Sequence, residues 1–170
     1  MRKTPFGEAD FLVRVLTKDF GKMDVLAKGT RKTASKLNAH LDMLNHIRLQ
    51  FVKPASTSAS LGGNGERIPT LTDAEIISRF DDWFADANKM SVVGRVLKVL
   101  DIVILAVSSD NTLFQAVLEF FSSQAGKDSK VLEKEAADFL QRIFKYEGHG
   151  ASLPPEHQEA IIRLWPDLRN

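Results

Sequence analysis

FGKMDVLAKGTRKTASKLNAHLDML, from Phe20 to Leu44, is the stretch from which the rest of the chain can be read. Asp19-Phe20-Gly21-Lys22 has the chemistry of a tight turn. Met23 to Ala27 then reads as a short strand. The loop that follows holds Lys28, Arg31, Lys32 and Lys36, has Gly29 at its mouth and contains no acidic residue. Lys and Arg neutralise phosphates and release their counterions, so a basic loop of small residues leaving a strand suits a nucleic-acid backbone. It matches no common catalytic motif.

Working outward, Phe11 to Thr17 (FLVRVLT) predicts the strand that pairs with Met23–Ala27 as a hairpin. Phe11, Val13 and Val15 fall on one face, and Leu12, Arg14 and Leu16 on the other. His46 to Lys53 (HIRLQFVK) predicts a third strand by the same alternation. Pro54 to Gly65 reads as a polar loop, and Ile68 to Leu71 as a short strand after it. At Thr72 the period changes. Thr72-Asp73-Ala74-Glu75 has capping-box spacing, which predicts that helices begin there.

Val93, Leu97, Leu100, Ile104 and Val107 form a helical stripe widened by Val96 and Val103, and Ser108 to Asn111 breaks it. Leu113, Val117, Phe120 and Phe121 mark the next helix, ending near Gly126. Leu132, Ala136, Phe139, Leu140, Ile143 and Phe144 mark another, ending near Gly148. Pro154-Pro155 opens a last short helix, stopped at Trp165-Pro166. The expected fold is α+β: a small β-barrel of the OB type over residues 1–71, then an all-α domain over 72–170. A few short strands with one long basic loop suit the OB-fold.

Charge follows the same division. Residues 1–60 carry 11 Lys and Arg against 5 Asp and Glu; residues 61–170 carry 12 against 17. A basic first third joined to an acidic remainder predicts an anion-binding module attached to a different one. The 170 residues include no cysteine, which excludes disulfides and thiolate metal sites. The N-terminus lacks the apolar core of a signal peptide. Leu100 to Val107, interrupted by Asp101, is far shorter than the ~20 residues of a membrane span. The chain is therefore expected to be soluble and cytoplasmic.

Gly7-Glu8-Ala9-Asp10, Leu16-Thr17-Lys18 and Phe20-Gly21-Lys22 resemble the start of the RecO family of bacterial recombination mediators. Leu26-Ala27-Lys28-Gly29-Thr30-Arg31 resembles that family's most characteristic segment, and Ser35-Lys36-Leu37 is similar too. Thr70 to Glu75 resembles the segment linking the family's barrel to its helices. The resemblance covers mainly residues 3–80; beyond them, Phe139 to Gly148 resembles only loosely a family helix ending in a glycine turn.

The resemblance implies an N-terminal OB-fold and a helical C-terminal domain. It implies binding of single- and double-stranded DNA, and annealing of strands coated by single-stranded-DNA-binding protein (SSB). It implies partnership with RecR, loading of RecA at gaps, and docking of the acidic SSB tail on the helical domain. It implies no catalysis. Three departures stand out. The chain begins at the family's Arg-Lys-x-Pro-Phe-Gly-Glu position, so most of the first strand is expected to be missing and an edge left exposed. Many relatives carry a Cys-based zinc module; without Cys, no zinc and no other cofactor is expected. The helical domain is shorter than the family's.

The candidate DNA-binding residues are Arg14, Lys22, Lys28, Arg31, Lys32, Lys36 and Arg48, with Lys53 nearby, and about half are expected to touch phosphate. Base stacking needs exposed aromatics. Of Phe6, Phe11, Phe20 and Phe51, only Phe6, beside Pro5 and Gly7, is read as a candidate for exposure. Arg95, Lys98, Arg142 and Lys145 are candidates to receive the carboxylates of the SSB tail. His40, His46, His149 and His157 are dispersed and read as structural. Asp81, Asp82, Glu133 and Glu135 read as solvated carboxylates, and Trp83, Phe84, Phe120, Phe121 and Trp165 as helix packing. The expected class is a non-enzymatic DNA repair and recombination mediator. The alternative is a scaffold that docks SSB or RecR with little DNA affinity of its own. A nuclease would need a paired-carboxylate or histidine motif that the sequence does not supply.

Overall fold

Alternating apolar residues build the first unit. In the computed structural model, which describes residues 2–31, 35–53, 68–104, 111–123, 126–147 and 153–166, strand β2 (Asp10–Thr17) buries Val13 and Val15 on one face. Strand β3 (Gly21–Ala27) returns antiparallel, with Val13 opposite Val25 and Thr17 opposite Gly21. The turn between them needs Gly21, whose φ of 64° is left-handed and favours a residue without a β-carbon. Phe11, Met23, Leu37, Ile47 and Leu49 pack around a buried cluster of Val13, Val15, Val25, Ala27, Leu41, Leu71 and Ala74. Each fully buried Val or Leu stabilises the unit by about 1.5–3 kcal/mol.

The N-terminal residues form more of a strand than their sequence suggested. Strand β1 (Arg2–Phe6) pairs along its whole length with β2, from Arg2 opposite Arg14 to Phe6 opposite Asp10. Helix α1 (Lys36–His40) leads into strand β4 (Asn45–Val52), which pairs with strand β5 (Thr70–Arg79). Leu26 meets Thr70 in a parallel bridge, so the order is β1-β2-β3-β5-β4. This is an OB-type sheet, with a helix between its third and fourth strands. Among the described residues no ladder joins β1 to β4, so the sheet is not closed.

Strand β5 overturns the helix start expected at Thr72. Gln50 faces Asp73 and Phe51 faces Leu71, which leaves Thr72 as the extra residue of a bulge. The bulge shifts the phase of the strand, so Leu71 and Ala74 both reach the core although they lie three positions apart. Thr72 Oγ1 donates to the Gln50 carbonyl at 3.0 Å instead of capping a helix. A second register shift leaves Ile77 unpaired with a residue of its own, and its side chain is exposed. Cross-strand pairing and burial thus outweigh a local capping signal. The expected loop over 54–65 lies outside the described residues.

The first unit runs to Phe80 and the helical unit begins at Asp81. A short 3-10 turn (Asp81–Phe84) buries Trp83. Asp86 caps helix α2 (Ala87–Val103), its carboxylate accepting from the amides of Asn88 and Lys89 at 2.8 and 2.9 Å. Val93, Val96, Leu100 and Val103 of the expected stripe are buried, and Val99 joins them. Val107 lies outside the described residues. Helices α3 (Asn111–Ser122), α4 (Ser129–Tyr146) and α5 (Pro155–Leu164) follow, with Asp128 capping α4.

The Trp83 indole donates to the Phe121 carbonyl at 3.1 Å. The Trp83 ring packs on Phe120 and Phe121, and Phe120 stacks on Phe139 at 4.3 Å. Trp165 is buried as well, whereas Phe84 is exposed. Among the described residues, no helix is long and apolar enough to cross a membrane.

Candidate nucleic-acid interface

The loop that leaves β3 is strapped to the turn between β1 and β2. Gly29, at φ 67°, donates its amide to Asp10 Oδ1 at 2.7 Å. Thr30 is fully buried and its hydroxyl donates to the Ala27 carbonyl at 2.7 Å. The Arg31 amide donates to the Ala9 carbonyl at 2.9 Å, and Arg31 Nη1 to the Gly7 carbonyl at 2.8 Å. These bonds fix the backbone while the side chains of Lys28 and Arg31 stay exposed. Only one of five guanidinium donors is occupied by the Gly7 contact. Lys32 and the side chain of Lys36 lie outside what the structure describes.

The other sequence candidates divide. Arg14 faces Asp24 across the hairpin and holds it with a two-pronged contact, Nε to Oδ1 at 2.9 Å and Nη2 to Oδ2 at 3.1 Å. Arg48 faces Glu75 across β4 and β5 at 2.6 Å, with both groups exposed. The charges of Arg14 and Arg48 are thus already balanced. Lys22 lies half-buried on β3 opposite Leu16. Arg2, not singled out from the sequence, is exposed on β1 opposite Arg14.

The aromatic reading needs correction. Phe20 is not core: it keeps 49% of its surface exposed at the hairpin tip. Phe51 is half-buried beneath it, the rings meeting edge to face at 5.3 Å, and Lys53 Nζ lies 5.8 Å from the Phe20 centroid. Phe6 is only half-exposed. The clue in the sequence was position, since Phe20 sits in a turn before glycine and not in an alternating strand.

In the helical unit the four partner candidates have different surroundings. Arg95 pairs with Glu133 at 2.5 Å and lies 4.5 Å from the Trp165 centroid, a packing role. Glu135 pairs with Lys127 at 2.7 Å. Glu133 and Glu135 are therefore ion-paired and not simply solvated. Arg142 lies nine residues beyond Glu133 on α4, half a turn around the helix. It lines a groove of about 440 Å³ between α3 and α4, shared with Glu119, Glu135, Asp138, Lys127 and Tyr146. Lys98 and Lys145 are exposed. Among the described residues, no group of three His, Asp or Glu side chains could hold a metal ion.

Comparison with known proteins places the strapped loop in context. The family model described as the N-terminal region of recombination protein O matches residues 1–80. Over residues 1–80 the chain is similar to the RecO family. Among RecO relatives, the DNA repair protein RecO of Heliobacterium modesticaldum is 30% identical over 101 residues, covering 59% of this chain and 33% of the relative. That of Listeria welshimeri is 32% identical over 101 residues, covering 59% and 35%. That of Streptomyces coelicolor is 34% identical over 80 residues, covering 47% and 30%. The match thus spans about a third of the length of these RecO relatives.

Proposed function

We propose that this chain is a DNA repair and recombination mediator. It captures single- and double-stranded DNA on its N-terminal unit and brings complementary strands together for annealing. The observation that carries the reading is the loop from Lys28 to Arg31, pinned by two backbone amides and two side-chain donors while its cations remain exposed. Pinning lowers the entropy lost when the cations engage phosphate. Neutralised phosphates then let two strands approach, and no bond is made or broken. The name shared by the relatives, DNA repair protein RecO, supports a role in DNA repair. By that kinship the partners are the SSB C-terminal tail, RecR and, indirectly, RecA, and the setting is cytoplasmic.

A second reading, a scaffold docking SSB or RecR with little DNA affinity, draws on the pairing of Arg14 with Asp24 and of Arg48 with Glu75. Those pairs reduce the positive charge available to DNA. Replacing Lys28 and Lys32 by Glu separates the two while leaving the Arg31 strap intact. Under the mediator reading the variant loses single-strand binding and annealing. If DNA binding is unchanged and only partner capture matters, the scaffold reading stands.

A further inference from the structure

We infer that Phe20, backed by Phe51 and accompanied by Lys53, is a stacking platform for an unpaired base of single-stranded DNA. The inference rests on the DNA-binding reading above and adds a site for bases to a site for phosphates. The platform begins with a fixed turn. Thr17 Oγ1 donates to the Gly21 carbonyl at 2.9 Å and accepts from the Phe20 amide at 3.0 Å. With Gly21 at φ 64°, the turn holds the Phe20 ring outward instead of folding it into the sheet.

The second component is the support. Phe51 is anchored by its place in β4 opposite Leu71, and its ring meets Phe20 at 5.3 Å with planes 73° apart. Such edge-to-face pairs are worth about 0.5–1.5 kcal/mol beyond burial, so the exposed ring has a preferred orientation.

The third component is the cation. Lys53 Nζ at 5.8 Å is within cation–π reach of Phe20, and Lys18 is exposed in the same turn. An apolar side chain of a protein partner would use the ring and leave the ammonium groups idle. A nucleotide uses both, because it brings a π-face and a phosphate together. Every base has such a face, so the platform is tolerant of sequence. In a duplex the faces are already stacked, so the platform selects single strands. The strapped loop lies at the far end of β3, roughly 20 Å away at about 3.3 Å per residue. A strand running along the hairpin would meet the aromatic tip at one end and Lys28 and Arg31 at the other.

The test compares, at low salt and by fluorescence anisotropy, labelled oligothymidine with an abasic phosphodiester strand of the same length. The full chain is expected to bind the base-bearing strand about fivefold or more tighter, the scale of one stacked base. Phe20→Ala is expected to remove that preference with abasic-strand affinity unchanged, and Phe20→Trp to keep it. Equal binding of both strands by the unaltered chain, which depends on no variant folding, would overturn the platform and leave electrostatic capture standing. Equal loss on both strands in Phe20→Ala would do the same. No binding of either strand would overturn the DNA-binding reading itself, and the platform with it.

Discussion

Arg31 reaches back across the sheet and donates its Nη1 proton to the carbonyl oxygen of Gly7 at 2.8 Å. This one bond joins the basic loop to the turn between β1 and β2. It separates the two cations flanking Gly29 and Thr30: Arg31 holds structure as well as charge, and Lys28 holds charge alone.

Arg31→Ala is therefore expected to lower stability by about 0.5–1 kcal/mol, the net value of a hydrogen bond of this kind, and to weaken single-strand binding. Lys28→Ala is expected to weaken binding with an unchanged urea midpoint. Urea unfolding of both variants beside a binding titration reads the difference. Equal midpoints would remove Arg31 from the strap.

Gly29 tests the loop backbone. Its φ is 67°, and a β-carbon built there meets nothing within 4 Å. Gly29→Ala should thus cost only the left-handed backbone penalty, roughly 1–2 kcal/mol. Gly29→Asn should cost less, since Asn tolerates that region better. Denaturant unfolding would show the order Gly, Asn, Ala. Equal stability of all three would mean that the turn is not held.

The helix start is tested by Asp86 and Thr72. Asp86→Ala removes a carboxylate accepting two amides and is expected to cost about 1 kcal/mol. Thr72→Ala removes only an exposed hydroxyl contact to Gln50 and is expected to cost less. A larger loss of helical circular dichroism on heating Thr72→Ala would restore the capping box.

His46 gives the fold a pH dependence. Desolvation by burial lowers its pKa below the ordinary imidazole value. The unfolded chain then takes up its proton first as pH falls. The contribution is present above about pH 6.5, the unfolded value, and is lost as pH drops through the depressed folded value. Melting temperature should fall on acidification from pH 8 to 5.5, and His46→Gln should flatten that part of the profile. An identical profile in the variant would assign the dependence to other groups.

The hairpin was legible because Val13 and Val15 alternate with Arg14 and because Gly21 follows a turn. The basic loop was legible from composition, and the similarity to RecO from the segment Leu26 to Arg31. Strand β5 was legible only at its start, where Ile68 to Leu71 reads as strand; beyond it, bulges at Thr72 and Ile77 break the alternation that announces a strand, while Thr72 and Glu75 imitate a cap. The neutralisation of Arg14 and Arg48 was hidden for a different reason. Their partners Asp24 and Glu75 are 10 and 27 residues away and become neighbours only through strand register. The exposure of Phe20 depends likewise on which side of the turn the Thr17 bonds hold it.

The central claim, capture of DNA by cations of the N-terminal unit, is tested most directly by single-strand affinity across a salt series. If Lys22, Lys28, Arg31, Lys32 and Lys36 each neutralise one phosphate, log affinity falls with log salt at a slope of about −3.5, from about −0.7 per phosphate. Replacing Lys28 and Lys32 by Glu should bring the slope to about −2 or shallower. A slope near zero in the unaltered chain would contradict electrostatic capture.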